Sequence, residues 1–225
     1  MKPTFERDAV QVAAEVQLQS AISKLACRKN VQNFRKNEVI FSQGDPADTL
    51  FHIQEGRVKL SVVSAGGKEA TLSVLGAKDL FGLDCLSCQR RRLGAATALE
   101  PSELICIDRN NWVKALREQP ELFEAVLAHL SNRNIELQKD LCAQIFDRSE
   151  RRLARVLLKL TQFGVEHHEP VVIPKISHDT LASMVGTTRS RITYFMNRFR
   201  ERGFIDTKRG VMVHPSRLSA ALQDD

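Results

Sequence analysis

The hydrophobic period changes once along this chain, and that change limits the fold more than any other feature. From Phe34 to Ile107 the apolar residues come in short β-rich runs: VIF (39–41), LFHI (50–53), VKLSVV (58–63), ATLSVL (70–75) and ELICI (103–107). Turn residues separate them, at Gly44–Asp45–Pro46, Gly56, Gly66–Gly67, Gly76 and Gly82. Strands at roughly 8–12-residue spacing with glycine punctuation predict an antiparallel barrel or jelly roll of about 75 residues, with an interior able to hold a small ligand. After Pro120 the period becomes helical. Phe123, Leu127, Leu130, Asn134, Leu137 and Leu141 follow one another at alternating spacings of four and three, a heptad seam over nearly three repeats.

Such a seam can pair with a second copy of the chain or lie on the barrel of its own. Leu122 and Val126 supply a second apolar stripe for the barrel, which favours pairing for the first. Asn134 within the seam is the kind of polar residue that fixes register and oligomeric state. Ahead of the β-rich region, Val12, Val16, Ile22 and Leu25 predict a short amphipathic helix between Glu6 and Leu25.

Membrane and secretory readings find no support. No run approaches the ~18–20 apolar residues of a membrane-spanning helix, and the start MKPTFERDAVQVAAEVQ has no apolar signal core. Five cysteines, an odd number in 225 residues, do not suggest a disulfide scaffold. The expected compartment is the cytoplasm.

Charge separates the two ends. The formal net charge is +6, and residues 149–225 hold 13 Lys and Arg against 8 Asp and Glu, so +5 of it lies there. A basic module beside a nearly neutral one points to a polyanion, most often nucleic acid. In the basic part, Ser149 opens a helix with Leu153, Val156, Leu157, Leu160 and Phe163 on one face and Gly164 as its stop. A short β-like stretch, VVIP (171–174), leads into residues 177–203, SHDTLASMVGTTRSRITYFMNRFRERG.

In that segment Ser177 caps a short helix with Leu181, Ala182 and Val185 inward, and Gly186 makes the turn. Thr187 or Thr188 caps a second, basic helix with Ile192, Phe195, Met196 and Phe199 inward. Helix, glycine turn and longer basic helix make a helix-turn-helix, whose second helix enters the major groove. Arg189, Ser190, Thr193 and Tyr194 are left outward near its start as base-reading residues, with Arg189 suited to guanine O6 and N7. Ser177, Thr188 and Arg191 are placed for phosphates. Beyond Gly203, Phe204–Asp206 and Val211–Val213 predict a β-hairpin whose tip, Lys208–Arg209–Gly210, would touch the DNA backbone as a wing.

With these residues in view, the sequence resembles the Crp/Fnr family of bacterial transcription regulators. The likeness runs from about Phe34 to Leu222. It rests on VIFSQGDPADTLFHIQEGRVKLSVV (39–63), VLGAKDLFG (74–82) and, most specifically, ISHDTLASMVGTTRSRITYFMNRFRERGFI (176–205). It implies an α+β chain: an N-terminal antiparallel β-roll of the cyclic-nucleotide-binding kind, a long dimerisation helix and a C-terminal winged helix-turn-helix. The expected boundaries are a helical lead at 1–30, the roll at 31–118, the dimer helix and hinge at 119–148, and the DNA-binding domain at 149–225. The resemblance further implies a homodimer on a near-palindromic duplex site, with RNA polymerase as a partner.

The effector departs from the family pattern. Members that bind cyclic AMP carry Gly-Glu near the start of a phosphate-binding cassette and Arg-Ser near its end. The Glu takes the ribose hydroxyl, and the Arg and Ser hold the phosphate. Here the cassette (81–98) reads FGLDCLSCQRRRLGAATA: Gly82 matches, Leu83 stands at the Glu, Arg92 aligns with the Arg, and Leu93 stands at the Ser. Losing paired polar contacts in such a site costs several kcal/mol, so cyclic AMP is expected to bind weakly or not at all. Gly82, Leu83, Arg92 and Leu93 mark the effector locus, whose ligand the sequence does not name. Arg90–Arg91–Arg92 reads either as a site for another anion or as a solvated charged loop.

Cys85 and Cys88 form one C-x-x-C, too few ligands for zinc or an iron–sulfur cluster but sufficient for a redox dithiol. Oxygen-sensing relatives carry an N-terminal cysteine cluster, where this chain has Cys27 alone. His52 and His129 are isolated, so no metal site is expected. No nucleophile elbow, Walker loop or zinc-hydrolase pattern occurs, which leaves an enzyme reading unsupported. The expected function is sequence-specific, dimeric DNA binding that controls transcription. The alternative is a dimeric small-molecule or redox receptor acting mainly through protein–protein contacts.

Overall fold

A computed structural model of the 225-residue chain describes residues 22, 30–87, 90–161, 170–207 and 210–222. Eight strands precede the first described long helix: β1 (Asn30–Phe34), β2 (Val39–Phe41), β3 (Thr49–Glu55), β4 (Val58–Val63), β5 (Glu69–Leu75), β6 (Leu80–Phe81), β7 (Ala95–Ala98) and β8 (Ser102–Asp108). They form two four-stranded sheets, ordered β1-β8-β3-β6 and β2-β7-β4-β5. This is the antiparallel roll that the Gly-punctuated pattern predicts. The five predicted runs lie in β2, β3, β4, β5 and β8.

Alternation along β3 sorts two environments. Phe51 joins Phe41 and Phe81 in a ring cluster, with centroids 5.7 Å and 5.1 Å from Phe51. Leu50, two strand positions from His52, belongs instead to a core with Leu80, Ile105 and Trp112. That core is completed by helices α1 (Arg109–Glu118) and α2 (Pro120–Phe146), through Ala115, Leu122, Ala125 and Val126. Asp108 caps α1 by accepting from the backbone N–H groups of Asn110 and Asn111, at 2.9 Å and 3.2 Å. Pro120 then starts α2 at the one helical position where its missing N–H costs nothing.

Helix α2 is 27 residues long and has two apolar sides. Leu122 and Val126 are buried, whereas Phe123, Leu127, Leu130, Leu137 and Leu141 are 40–60% exposed along the heptad seam. Asn134 is exposed among them.

The remaining elements are α3 (Ser149–Thr161), β9 (Val171–Val172), α4 (His178–Val185), α5 (Arg189–Glu201), β10 (Ile205–Asp206), β11 (Met212–Val213) and α6 (Pro215–Ala220). Leu153, Leu157 and Leu160 of α3, Leu181 and Val185 of α4, and Ile192, Phe195, Met196 and Phe199 of α5 are buried, as helical spacing requires. Strands β10 and β11 pair antiparallel with Ile205 opposite Val213, and β9 adds to β11 as a third strand. Contacts divide the chain into one unit of residues 1–59 and 75–141 and another of 60–74 and 142–225. In the second unit the Thr71 backbone N–H donates to Ser183 Oγ at 2.6 Å. Most of the predicted N-terminal helix, together with Phe163, Gly164, Lys208 and Arg209, lies outside the described residues.

His52 carries a consequence for acid stability. It is 6% exposed and, among the described residues, neither ring nitrogen has a hydrogen-bond partner; burial lowers its pKa from 6.5 to about 4. Between those values the unfolded chain holds the extra proton, so stability is complete above pH 6.5 and falls as pH drops towards 4. The expected loss is ~3 kcal/mol across that window. Urea denaturation of His52→Leu should show this limb flattened. An unchanged limb would place the acid sensitivity elsewhere.

Candidate functional site

The outward face of α5 is assembled by two caps and a left-handed turn. Ser177 Oγ accepts from the Thr180 backbone N–H at 3.0 Å and starts α4. Gly186 ends α4 at φ +69°, a left-handed conformation that glycine adopts without strain, and sends the chain straight into the next cap. Thr188 Oγ1 accepts from the Arg191 backbone N–H at 3.4 Å and starts α5. With Ile192, Phe195, Met196 and Phe199 buried, Arg189, Ser190, Arg191, Thr193, Tyr194 and Asn197 are exposed.

The structure leaves three of the predicted base-reading residues exposed at the first turns of α5 and engages the fourth within the fold. Arg189 sits at the first turn of α5, its Nη1 3.5 Å from Asp179 Oδ2, with both side chains about two-thirds exposed. So open a pair restrains the guanidinium weakly and is easily exchanged for another acceptor. Ser190 Oγ lies 3.1 Å from Thr188 Oγ1, and Tyr194 is 61% exposed with its ring edge-on to Phe195. Thr193 is different. Its hydroxyl donates to the Arg189 carbonyl at 3.1 Å and lies 2.9 Å from His178 Nδ1. Either the imidazole N–H or the hydroxyl can supply the proton of that second bond, according to the tautomer. Thr193 thus braces the start of α5 against α4, a role beyond the base contact that spacing predicts for it.

Of the phosphate-contact residues, Ser177 and Thr188 are both exposed caps, and the Arg191 guanidinium stands 6.0 Å from the Phe195 ring centroid. Lys208 and Arg209 lie outside the described residues. Sequence reasoning missed His178 and Asp179, which reach α5 from the first turn of α4. Their signal was the polar H-D immediately after the cap at Ser177.

It also missed Arg152. From α3, Arg152 Nε donates to the Val185 carbonyl at 2.9 Å, Nη1 to the Asp147 carbonyl at 3.0 Å, and Nη2 to the Gly186 carbonyl at 3.5 Å. One guanidinium therefore ties the end of α2 to the turn of the helix-turn-helix and caps the electronegative end of α4. Arg155 Nε donates to Asp147 Oδ2 at 2.6 Å beside it.

In the roll, the Arg90–Arg91–Arg92 run splits. Arg90 and Arg91 are exposed, and Arg91 Nη1 donates to the Gly44 carbonyl at 2.8 Å. Arg92 corrects the solvated-loop reading: its side chain is 2% exposed. It lies against the Phe41 ring, 4.2 Å from the centroid, and donates to the carbonyls of Gly82 and Thr49 and to Asp84. Gly82 is required there, because a Cβ at its φ of +81° would stand 2.9 Å from Arg92 Nη1. Leu83 packs on the α1–α2 core, whereas the Leu93 side chain is at the surface. Cys85 is fully buried and burial pushes its thiol up to about 11, so it is protonated at neutral pH. Cys88 lies outside the described residues. Among those residues no His/Cys/Asp/Glu group is placed to hold a metal, and no helix is long and apolar enough to cross a membrane.

Comparison with known proteins agrees with this arrangement. Residues 31–119 match the cyclic nucleotide-binding domain family and residues 151–221 the Crp-like helix-turn-helix domain family. The chain is 32% identical over 191 residues to the global nitrogen regulator of Nostoc sp. PCC 7120, covering 82% of this chain and 85% of that one. It is 30% identical over 172 residues to the cyclic AMP receptor protein of Thermus thermophilus, covering 76% and 77%. A CRP/FNR-family transcriptional regulator of Thermus thermophilus has a similar crystal structure. Its TM-score is 0.71 at 25% identity, over 87% of this chain and 99% of that one.

Proposed function

Since this chain belongs to the Crp/Fnr family of transcription regulators, we propose that it binds a near-palindromic duplex site as a homodimer, with α5 of each protomer in a major groove. The observation that carries this reading is the outward face of α5. Arg189, Ser190 and Tyr194 are exposed at its first turns, on the side left free by the buried stripe. Around them, capped backbone and basic side chains are suited to phosphates. The exposed seam of α2 supports pairing through Phe123, Leu127, Leu130, Asn134, Leu137 and Leu141, since so long an apolar stripe is costly to leave in water. Bound in this way the dimer would act on RNA polymerase at nearby promoters.

Cyclic AMP is no part of the proposal, although one relative is named as its receptor. The Leu83 and Leu93 side chains offer no partner to a ribose hydroxyl or a phosphate, and Arg92 Nη1 and Nη2 are already hydrogen-bonded within the roll. The test is a gel shift against a randomised duplex pool at rising salt. We expect one enriched inverted repeat, bound about 10³-fold more weakly at 200 mM than at 50 mM salt. A protein that enriches no sequence, or whose DNA affinity ignores salt, acts instead through protein–protein contacts.

A further inference from the structure

Asp84 occupies the position on Arg92 that an anionic ligand would need. Its Oδ1 accepts from Arg92 Nη1 at 2.6 Å, and its Oδ2 accepts from the Leu93 backbone N–H at 3.3 Å. One carboxylate thus spans the guanidinium and the next residue's amide, two donors that converge as they would on two oxygens of a phosphate. The rest of the guanidinium is enclosed. Nη1 also donates to the Gly82 carbonyl at 3.1 Å, Nη2 to the Thr49 carbonyl at 2.5 Å, and the Phe41 and Phe51 rings lie 4.2 Å and 5.5 Å from Cζ. The arginine side chain is 2% exposed but Asp84 is 26% exposed, so the carboxylate closes the locus from its solvent side.

We propose that Asp84 is a built-in anionic ligand of the β-roll, neutralising Arg92 in place of a diffusible phosphate-bearing effector. A buried guanidinium needs a counter-charge, and the removal of one partner of such a pair is strongly destabilising. The chain supplies its own anion from the 3-10 turn Leu83–Leu86, eight residues before the arginine. The roll is thereby held in its charge-satisfied arrangement without a signal molecule. Removing the carboxylate should leave a pocket that accepts a small oxyanion on Arg92 and the Leu93 amide. This inference concerns the roll and does not depend on DNA binding.

The experiment is thermal unfolding of the full chain with inorganic phosphate or cyclic AMP, against sodium chloride of equal ionic strength. The wild type should respond to neither. Asp84→Ala should melt about 5–10 °C lower in phosphate-free buffer and recover about 2–4 °C, saturably, at 10 mM phosphate. Adding Arg92→Met to Asp84→Ala should abolish that recovery. If Asp84→Ala does not fold, Asp84→Asn keeps the shape without the charge and must itself show the phosphate response. A wild type that phosphate or cyclic AMP stabilises as much as the variant would overturn the proposal, since Arg92 would then be open. So would a folded variant that ignores phosphate. Cyclic AMP acting on the variant where phosphate does not would mean that the base and ribose, and not the anion, are what the locus selects.

Discussion

In the proposed homodimer, replacing Leu130 and Leu137 together by Asp should lower the mass in solution from twice the 25.3 kDa of one chain to that of a single chain. Both side chains are 40–55% exposed on α2, so the substitution removes far less from the packing of one chain than a change on the buried side of the helix. It instead would put four carboxylates into the proposed seam, whose side chains offer apolar contact. Affinity for a full inverted repeat should fall by about 10²–10⁴-fold, because two linked half-site contacts become independent ones. Affinity for a single half-site should be unchanged. Sedimentation equilibrium and a gel shift measure these outcomes. The helical circular dichroism should be retained, whereas Leu122→Asp, on the buried side of the same helix, should lose it. A double variant that stays at twice the chain mass would put the dimer contact on another surface.

Arg189→Ala and Arg191→Ala should separate reading from holding. Arg189 stands at the first turn of α5 with only a loose Asp179 partner, and a bidentate contact to guanine carries ~1–3 kcal/mol of discrimination per site. In a symmetric dimer the loss occurs twice, so preference for the best base pair at that position should fall by about 10²–10⁴-fold. Arg191 turns towards the Phe195 ring. Its removal should weaken every sequence alike and reduce the salt dependence by about one phosphate contact per half-site. Binding each variant to a panel of operators substituted one base pair at a time gives the comparison. Equal loss of discrimination from both would show that these roles are wrongly divided.

Much of the fold was legible because its signals are periodic. Short β-rich runs between glycines placed five of the eight roll strands, and the heptad together with Leu122 and Val126 placed both sides of α2. The strands it passed over have physical reasons to be silent. Among the described residues β1 (NVQNF) is an edge strand, mostly exposed and paired to β8 alone, so it carries no buried alternation. β7 (AATA) is built from small residues that belong to no apolar run. Helix α1 follows β8 directly and buries only Trp112 and Ala115, too few positions to reveal a helical period.

At the reading face, caps and spacing sufficed for the direction of α5, since local hydrogen bonds and burial decide it. They could not show that His178 holds Thr193, a pairing made across the turn and across 15 residues. The same holds in the roll. Alignment of the cassette singled out Arg92 and what it lacks, but Asp84 had no counterpart there to mark it. Only the folded 3-10 turn places that carboxylate on the guanidinium.

The Arg152 clasp gives the last turn of α2 a second allegiance. From Cys142 onward that helix belongs to the same unit as α5, and the carbonyls of Gln144 and Asp147 share one guanidinium with those of Val185 and Gly186. A helix advances about 1.5 Å and turns about 100° with each residue. Inserting one residue between Gln144 and Asp147 would therefore turn one of these carbonyls away from the guanidinium while Val185 and Gly186 stay bound to it. The end of α2 is in this sense keyed, like a plug in its socket, to the turn that precedes α5.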